Sequence, residues 1–354
     1  MIPMEKTMRK NILIAFLAGA LALLMVGMSF GQSEETPTDK RAQTGMKFLS
    51  VSLDARASAM GNTMTSQDQV TAMAMFYNPG ALGWLKNNVN VSLGQTRWIV
   101  DFNYSYGAIA FRPANGSFGT FGVNVMTVDY GEFEETIRDG SSASGYRQLG
   151  TFSPSAMSVG VGYGFAVSDR FTFGANVKYV REDLGASAVR LNNGTVERED
   201  NNANTMAFDF GILYRTGWKS LNFGMTARNF AKDLTYAEES FELPLTFRIG
   251  LSMDMLDLTG MADSKHALLL SVDTERPRDF QEHVNVGAEY LFSNVVALRG
   301  GYSLGTDADT EEGASFGAGL QTKMGAQGNL KVDYSYTSFG VFDNVNRFTF
   351  SFAF

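Results

Sequence analysis

Hydrophobic and polar residues alternate along much of the chain, and the alternation is clearest over residues 345–354. One set of alternate positions there is aromatic: Phe348, Phe350, Phe352 and Phe354. The other set is polar or small: Arg347, Thr349, Ser351 and Ala353. Because successive side chains of a β-strand point to opposite faces, this pattern predicts a strand with one face toward lipid and the other toward a polar lumen.

The same two-residue period recurs upstream as far as residue 89. It predicts fourteen strands, at residues 89–98, 102–112, 117–129, 151–167, 170–184, 205–216, 220–228, 243–254, 265–275, 281–292, 294–303, 313–322, 328–338 and 345–354. Most have the roughly 9–11 residues that a tilted strand needs to cross a membrane, and an even number suits a bacterial single-chain barrel. The predicted fold is therefore all-β, a 14-stranded antiparallel transmembrane β-barrel over residues 87–354 with an N-terminal plug segment.

The lengths of the connections provide an independent check on this barrel. If the C-terminus lies in the periplasm, the periplasmic connections are residues 323–327, 293–294, 255–264, 216–219, 168–169 and 113–116. The connections at the other end include the long ones, at residues 130–150, 185–204, 229–242 and 304–312. Short periplasmic turns and long outer loops are typical of outer-membrane barrels, so the pattern supports the prediction. The turn at 255–264 fits least well.

The first residues have the pattern of a targeting segment. Basic residues near the start precede an apolar run over residues 12–30. This predicts a secretory signal peptide at residues 1–31, cleaved near Gly31, followed by a short polar linker at residues 32–43. A retained transmembrane helix is the alternative, because the run is long enough to span a bilayer. The predicted location is the bacterial outer membrane.

Composition narrows the possible functions. The chain has no cysteine, which excludes disulfides and a lipoprotein anchor, and its net charge of −8 provides no basic face for nucleic acid. The only two histidines, His266 and His283, lie near opposite ends of neighbouring predicted strands. Hydrolytic sites usually need a histidine beside a nucleophile, so we expect no enzyme, no metal site and no cofactor.

Residues 44–86 precede the first predicted strand and do not alternate. They are rich in small residues and contain the turn-forming run Asn78-Pro79-Gly80. A fourteen-stranded barrel has a lumen too wide for its own side chains to fill, so this segment is predicted to lie inside as a plug. A periplasmic extension packed under the barrel is the alternative.

Several charged residues fall within the predicted strands: Arg248, Asp273, Glu289, Arg299, Lys331 and Asp333. Charged side chains facing lipid are costly, so these are predicted to face the lumen. There they would form a salt-bridge network that holds the plug, with Asp54 or Arg56 as partners. A charged conduction path is the alternative.

The long loops are acidic. The carboxylates considered as candidate extracellular contacts are Glu132, Glu134, Glu135, Glu199, Asp307 and Asp309. Solvated loops facing the medium account for them without any binding role.

Short runs spread in order along nearly the whole mature chain resemble the PorV/PorQ family. They lie at residues 55–61, 77–82, 98–106, 173–179, 243–250, 287–290, 298–302 and 333–334. In the plug segment, the matching and neighbouring residues proposed as a plug motif are Asp54, Arg56, Met60, Gly61, Asn78, Pro79 and Gly80. The family is related to FadL-type fatty-acid transporters, whose plug carries an Asn-Pro-Ala motif, and Gly80 replaces that alanine here.

The resemblance implies a role in type IX secretion. A PorV-like barrel would bind the C-terminal β-domains of cargo proteins, carry them to the attachment machinery and associate with other type IX components. Outer-membrane lipid is a further expected partner, as is the barrel assembly machinery, whose C-terminal signal resembles the run containing Phe350, Phe352 and Phe354.

Uptake of a hydrophobic small molecule, by analogy with FadL, is the alternative function. It requires an apolar pocket in the barrel or plug, for which the candidate lining residues are Met60, Met64, Met73, Met75, Phe76 and Trp84. Simple packing of these residues against the wall is the interpretation we favour.

Overall fold

The computed structural model describes residues 43–190, 195–236, 239–259, 265–305, 312–325, 328–342 and 344–354. Its strands, in chain order, are β1 (Val89–Arg97), β2 (Asn103–Phe111), β3 (Thr120–Asp129), β4 (Phe133–Arg138), β5 (Tyr146–Phe152), β6 (Ser155–Ala166), β7 (Phe171–Arg190), β8 (Val196–Arg215), β9 (Asn222–Ala231), β10 (Leu234–Tyr236), β11 (Glu239–Phe241), β12 (Thr246–Asp254), β13 (His266–Pro277), β14 (His283–Phe292), β15 (Val296–Gly305), β16 (Ala314–Met324), β17 (Gly328–Thr337) and β18 (Val345–Ala353). The predicted signal peptide and nearly all of the predicted linker lie outside the described residues.

Fourteen of these strands form one closed antiparallel barrel, in which β1 pairs with β18 and each other strand pairs with its neighbours in sequence. Closure is direct, since Asn90 lies opposite Ala353 and Arg97 opposite Asn346. The predicted 14-stranded antiparallel barrel is confirmed, with strand ends that differ by a few residues in most cases. Closing the sheet leaves no edge strand with unpaired N–H and C=O groups. This is required inside a membrane, where water cannot form hydrogen bonds with those groups.

The loops at one end contain more β-structure than predicted. β4 and β5 form a hairpin, β10 and β11 form another, and β7 and β8 continue as a paired ribbon to Arg190 and Val196. The predicted long connection at residues 185–204 is therefore wrong in part, because most of its ends are paired strand. The predicted strand at residues 151–167 is also divided, because Pro154 separates β5 from β6. In β4, for example, the buried face carries Glu135 beside Ile137, so a charged residue interrupts the apolar pattern.

We call the two ends of the barrel the short-turn rim and the long-loop rim. At the short-turn rim lie the ends of the strands joined as β2–β3, β6–β7, β8–β9, β12–β13, β14–β15 and β16–β17. At the long-loop rim lie the ends joined as β1–β2, β3–β6, β7–β8, β9–β12, β13–β14, β15–β16 and β17–β18. The asymmetry expected from the sequence is present, and the connection after β12 contains the helix Leu256–Thr259.

Alternation along the strands separates the two faces of the barrel. In β3 every second residue from Thr120 to Val128 is buried, whereas Phe121, Val123 and Val125 are exposed on the outside. In β18 the phenylalanines face outward, while Arg347, Thr349 and Ser351 are buried inside. No helix in the described part of the chain is long and apolar enough to cross a membrane.

A charge placed on the outer face is expected to destabilise the barrel. Val125 lies near the middle of β3 and is 41% exposed, so Val125→Lys should cost roughly 2–4 kcal/mol. Unfolding in lipid vesicles would measure the loss, with Ser117→Lys at the short-turn rim as the control. Equal stability of the two variants would show that the outer face is not in lipid.

Short helices occur mainly in the segment before β1. The 3₁₀-helices are Lys47–Ser50, Ala72–Phe76, Pro79–Trp84, Ile99–Asp101 and Pro113–Gly116, and the α-helices are Ala55–Ala59 and Leu256–Thr259. We call residues 44–86 the inner segment. Its central residues, including Ala55, Met60 and Leu82, are fully buried.

Candidate functional site

The inner segment is hydrogen-bonded to strands on opposite sides of the barrel. The Ala55 N–H donates to Thr349 Oγ1 of β18 at 2.9 Å, and the Thr65 N–H donates to Asp273 Oδ2 of β13 at 3.0 Å. On another side, Thr172 Oγ1 of β7 donates to the Gly80 carbonyl at 2.7 Å. These contacts join the segment to lumen-facing side chains of three strands, and its role as a plug stays a prediction.

A set of inward-facing glycines lines the path of the inner segment. A Cβ atom at any of these positions would overlap the segment: Gly164, Gly174, Gly211, Gly224, Gly287 and Gly301. At Gly211 the overlapping group is the Asn78 side chain, and at Gly301 it is the backbone at Gly61. The glycines therefore let the segment pack directly against the wall. This role is not visible in the sequence pattern, because glycine counts neither as apolar nor as polar in an alternation.

Asn78 fixes the turn that begins the helix Pro79–Trp84. Its Oδ1 accepts a hydrogen bond from the Gly80 N–H at 3.0 Å, which caps the helix. Its Nδ2 donates to the carbonyls of Thr65 at 2.6 Å and Ile212 at 3.0 Å. Asn78, Pro79 and Gly80 thus join two parts of the inner segment to β8. Gly80 is also held close to the Gly211 carbonyl, leaving no space for a larger residue.

Arg56 is the centre of a buried charge network. Its Nη2 lies 2.8 Å from Glu289 Oε1 and its Nε 2.9 Å from Glu289 Oε2, a bidentate pair. Glu289 also pairs with Arg299, and Arg299 Nη1 lies 2.7 Å from Asp333 Oδ1. The lumenal salt-bridge network inferred from the sequence is present, with Arg56 as the partner in the segment.

Asp54 and Lys331, the other charged residues considered for this network, lie in different surroundings. Asp54 is buried, and burial followed by the nearby Asp333 carboxylate raises the pKa of Asp54. The Asp54 N–H donates to Tyr77 Oη at 2.8 Å. Burial and the nearby Asp54 carboxylate raise the pKa of Tyr77 to about 12. Lys331 lines a small inner cavity beside Asp333, so it faces the lumen as predicted.

The methionine-rich part of the inner segment is packed. Met60, Met73 and Met75 are buried, and the two cavities nearest them have volumes of about 20 and 30 Å³. Such volumes admit about one water molecule each. Trp84 stacks against Arg215, whose Cζ lies 3.9 Å from the ring centroid. The structure therefore supports the interpretation that these residues pack against the barrel wall, and the cavities beside them are too small for a ligand.

A much larger cavity lies between the inner segment and the long-loop rim, and we call it the outer cavity. Its volume is about 870 Å³. One side is aromatic and apolar: Trp98, Phe102, Tyr104, Tyr130, Phe133, Leu184, Phe339 and Phe342. The opposite side is polar: Thr246, Arg248, Glu275, Glu282, His283, Asn285 and Ser303. The floor includes Phe48, Val51 and Asn62 of the inner segment.

The polar side is held by ion pairs. Arg248 Nη2 lies 2.6 Å from Glu275 Oε2, and His283 Nε2 lies 3.1 Å from the same oxygen. Arg248 Nη1 also donates to the Asn62 carbonyl at 3.0 Å, which fixes the inner segment below the cavity. The Arg248 guanidinium and the Glu275 carboxylate therefore neutralise each other on the polar side of the cavity.

The aromatic side contains a carboxylate without such a partner. Tyr130 Oη donates to Glu182 Oε1 at 3.0 Å, and burial followed by the Glu182 charge raises the pKa of Tyr130. Among the described residues, no lysine or arginine forms an ion pair with Glu182. Glu312 is a second cavity carboxylate, and burial raises the pKa of Glu312 although the Arg347 charge opposes that change. Neither Glu182 nor Tyr130 stands out in the sequence pattern.

The carboxylates considered as candidate extracellular contacts differ in their exposure. Glu132, Glu134 and Glu199 are exposed at the long-loop rim. Glu135 is buried, and its Oε2 accepts a hydrogen bond from Arg198 at 2.7 Å, which joins the β4–β5 hairpin to β8. Asp307 and Asp309 lie outside the described residues. Phe350 and Phe354 are exposed on the outer face, with Phe352 between them partly buried.

The two histidines lie at opposite ends of the β13–β14 pair, as predicted. His266 is opposite Phe292 at the short-turn end, and His283 is opposite Glu275 at the long-loop end. In the described part of the chain, no three histidine or acidic side chains are grouped to bind a metal ion.

Comparisons with known proteins give a family and a fold. The family model described as type IX secretion system membrane protein PorP/SprF matches residues 59–354. It supports the association with type IX secretion, while the finer PorV/PorQ resemblance is not confirmed. No curated protein matches the chain.

Solved structures with similar folds include three transporters or channels. The Ralstonia pickettii toluene transporter TbuX has a TM-score of 0.54 and 15% identity, over 85% of this chain and 98% of that one. The CymD monoaromatic hydrocarbon channel has a TM-score of 0.56 and 11% identity, over 86% and 98%. The Pseudomonas putida toluene transporter TodX has a TM-score of 0.54 and 12% identity, over 84% and 96%. At these identities the likeness shows a shared barrel fold alone.

Proposed function

The chain belongs to the family of type IX secretion system membrane proteins PorP/SprF, and from this membership we propose that it binds type IX cargo proteins through their C-terminal β-domains. In this proposal the barrel stays in the outer membrane and passes bound cargo on for surface attachment. The activity is binding, and no catalytic step is assigned to the chain.

The observation that carries the proposal is the acidic, strand-rich surface at the long-loop rim. The β4–β5 hairpin and the outer part of the β7–β8 ribbon extend beyond the part of the barrel that pairs all round. Their exposed carboxylates include Glu132, Glu134, Glu197 and Glu199. A surface of this charge favours a basic partner and speeds its approach. The Arg198–Glu135 ion pair joins the hairpin to β8, and paired strands of this kind suit recognition of a folded domain.

The proposal includes the expected route to the membrane. A signal peptide at residues 1–31 would be removed near Gly31, and the barrel assembly machinery would recognise the C-terminal strand. The outward position of Phe350 and Phe354 supports such recognition, because these side chains are accessible from outside the barrel.

Reversing the rim charge is expected to weaken cargo binding. The double variant Glu132→Lys and Glu134→Lys should reduce the secreted proteins that co-purify with tagged protein from detergent-solubilised outer membranes by about tenfold, because it replaces attraction by repulsion. Mass spectrometry would quantify proteins sharing a C-terminal β-domain. Asp169→Lys, an exposed site at the short-turn rim, is the matched control. If the wild-type protein brings down no such proteins or type IX components, the proposed function is wrong.

Uptake of a hydrophobic small molecule is a second candidate, and the outer cavity is the observation that favours it. Its volume falls within the roughly 300–1,000 Å³ of small-molecule sites, and one side is aromatic. Native mass spectrometry of the purified barrel would test it. A bound lipid or hydrocarbon, together with an absence of secreted proteins in the co-purification, would put this function first.

A further inference from the structure

The outer cavity has a charge pattern that a purely apolar ligand does not explain. Glu182 points into it from β7, on the side that is otherwise aromatic. Its neighbour in space is Tyr130, whose ring is 4.9 Å from that of Phe102 in an edge-to-face arrangement. A carboxylate placed among aromatic rings is unfavourable for hydrocarbon, because an apolar occupant would displace water from the charge without replacing its hydrogen bonds.

The same arrangement is favourable for an organic cation. Aromatic faces attract ammonium and guanidinium groups, and a desolvated carboxylate accepts charge-assisted hydrogen bonds from them. The aromatic side continues from Tyr104 to Trp98 and Phe339, with ring centroids 6.5 and 4.8 Å apart. Trp98 already has the Arg347 guanidinium 5.3 Å from its ring centroid, so this wall accommodates a cation within the protein itself.

The position of the cavity indicates how large an occupant it can take. It is lined by Phe133 of the β4–β5 hairpin and Leu184 of β7, so it borders the strands proposed to bind cargo. At about 870 Å³ it has room for a short stretch of polypeptide. Below it, the inner segment supplies the floor through Phe48 and Val51.

We infer that the outer cavity receives a short basic segment of the secreted partner, with one lysine or arginine of that segment bound between Glu182 and the aromatic wall. Apolar residues of the segment pack against Phe102 and Phe339, and its backbone faces the polar side near Asn285 and Ser303. The inference rests on the proposed function and adds to it a specific site and a specific chemistry of the partner.

Site-specific photo-crosslinking in the intact bacterium tests this inference. A benzoylphenylalanine residue is placed at Phe339 inside the cavity, at Glu199 on the rim, and at Leu93 on the lipid face. The crosslinked peptides are identified by mass spectrometry, and the yield at Phe339 is measured with and without Glu182→Gln. Asp169→Asn at the short-turn rim serves as the charge control, and heat-modifiable migration in gels shows that each variant forms a barrel.

We expect the Phe339 probe to crosslink to a secreted type IX protein within a few residues of a lysine or arginine. Glu182→Gln should lower that yield by about tenfold or more, as expected for the loss of a hydrogen bond to a charged group, and Asp169→Asn should not. An undiminished yield in Glu182→Gln would overturn the cation site.

The remaining outcomes separate the inference from the proposed function. If Phe339 crosslinks only to lipid or to nothing, while the Glu199 probe captures secreted type IX proteins, the cavity inference is wrong and cargo binding at the rim stands. If neither probe captures a secreted protein, both are wrong.

Discussion

Gly301→Leu is expected to expel the inner segment from the barrel while leaving the barrel closed. Any side chain at Gly301 would occupy the same space as the backbone at Met60 and Gly61, and backbone cannot move aside as a flexible side chain can. The barrel itself has ladder hydrogen bonds on both sides of β15, so it does not depend on this contact. The inner segment should therefore be displaced before the barrel wall is distorted.

Two measurements report this change. Trypsin should cleave the variant at Arg56, which the wild-type barrel protects because Arg56 and its neighbours are buried. Planar-bilayer recordings should show ion conductance in the variant and little in the wild type. Gly300→Leu is the matched control, since a Cβ at Gly300 meets only the Phe316 ring at 4.0 Å. Protection of Arg56 in the Gly301→Leu variant would contradict the lumenal packing.

Glu289→Gln is expected to destabilise the protein by about 3–5 kcal/mol, because it leaves two buried guanidinium groups without their shared carboxylate. Both Arg56 and Arg299 pair with Glu289, and all three side chains are at most 9% exposed. In the variant, Arg299 still forms its ion pair with Asp333. Arg56 hydrogen-bonds only to neutral acceptors, which are the Gln69 carbonyl and the Gln67 side chain. The main effect should thus be on the inner segment.

Denaturant unfolding in detergent, followed by tryptophan fluorescence, would measure the loss. Glu282→Gln is the control, since its pair with Arg276 is exposed at 56% and 74% and should contribute at most about 1 kcal/mol. Arg56→Gln should cost less than Glu289→Gln, because Arg299 still neutralises the carboxylate. Equal stabilities for Glu289→Gln and Glu282→Gln would show that the network does not hold the segment.

Gly301→Leu and Glu289→Gln both act on the inner segment, and through it on the outer cavity. With the inner segment in place, the outer cavity has a floor, supplied by Phe48, Val51 and Asn62. With the segment released, that floor is lost. Variants that release the segment should therefore also lose the crosslink at Phe339.

The barrel was predictable from the sequence because its determinants are local. A strand between lipid and a polar lumen must alternate, so Phe348, Phe350 and Phe352 had to lie opposite Arg347 and Thr349 whatever the partners were. The same reasoning predicted that Lys331 and Asp333 share the inner face, since charge is costly against lipid. The two-residue period of a strand, with lipid on one face and the lumen on the other, is enough to decide on which face such a residue lies.

The tertiary structure decided which residues meet. Several strand charges could have paired with Arg56, and only closure of the barrel brings Glu289, 233 residues away in sequence, against it. Closure likewise determines that Gly211 and Gly301 face backbone and that Glu182 joins Tyr130 and Phe102 around a cavity. Sequence periodicity specifies the face on which a residue lies, but a contact across the lumen depends on the curvature of the whole sheet and on the path of the segment inside it.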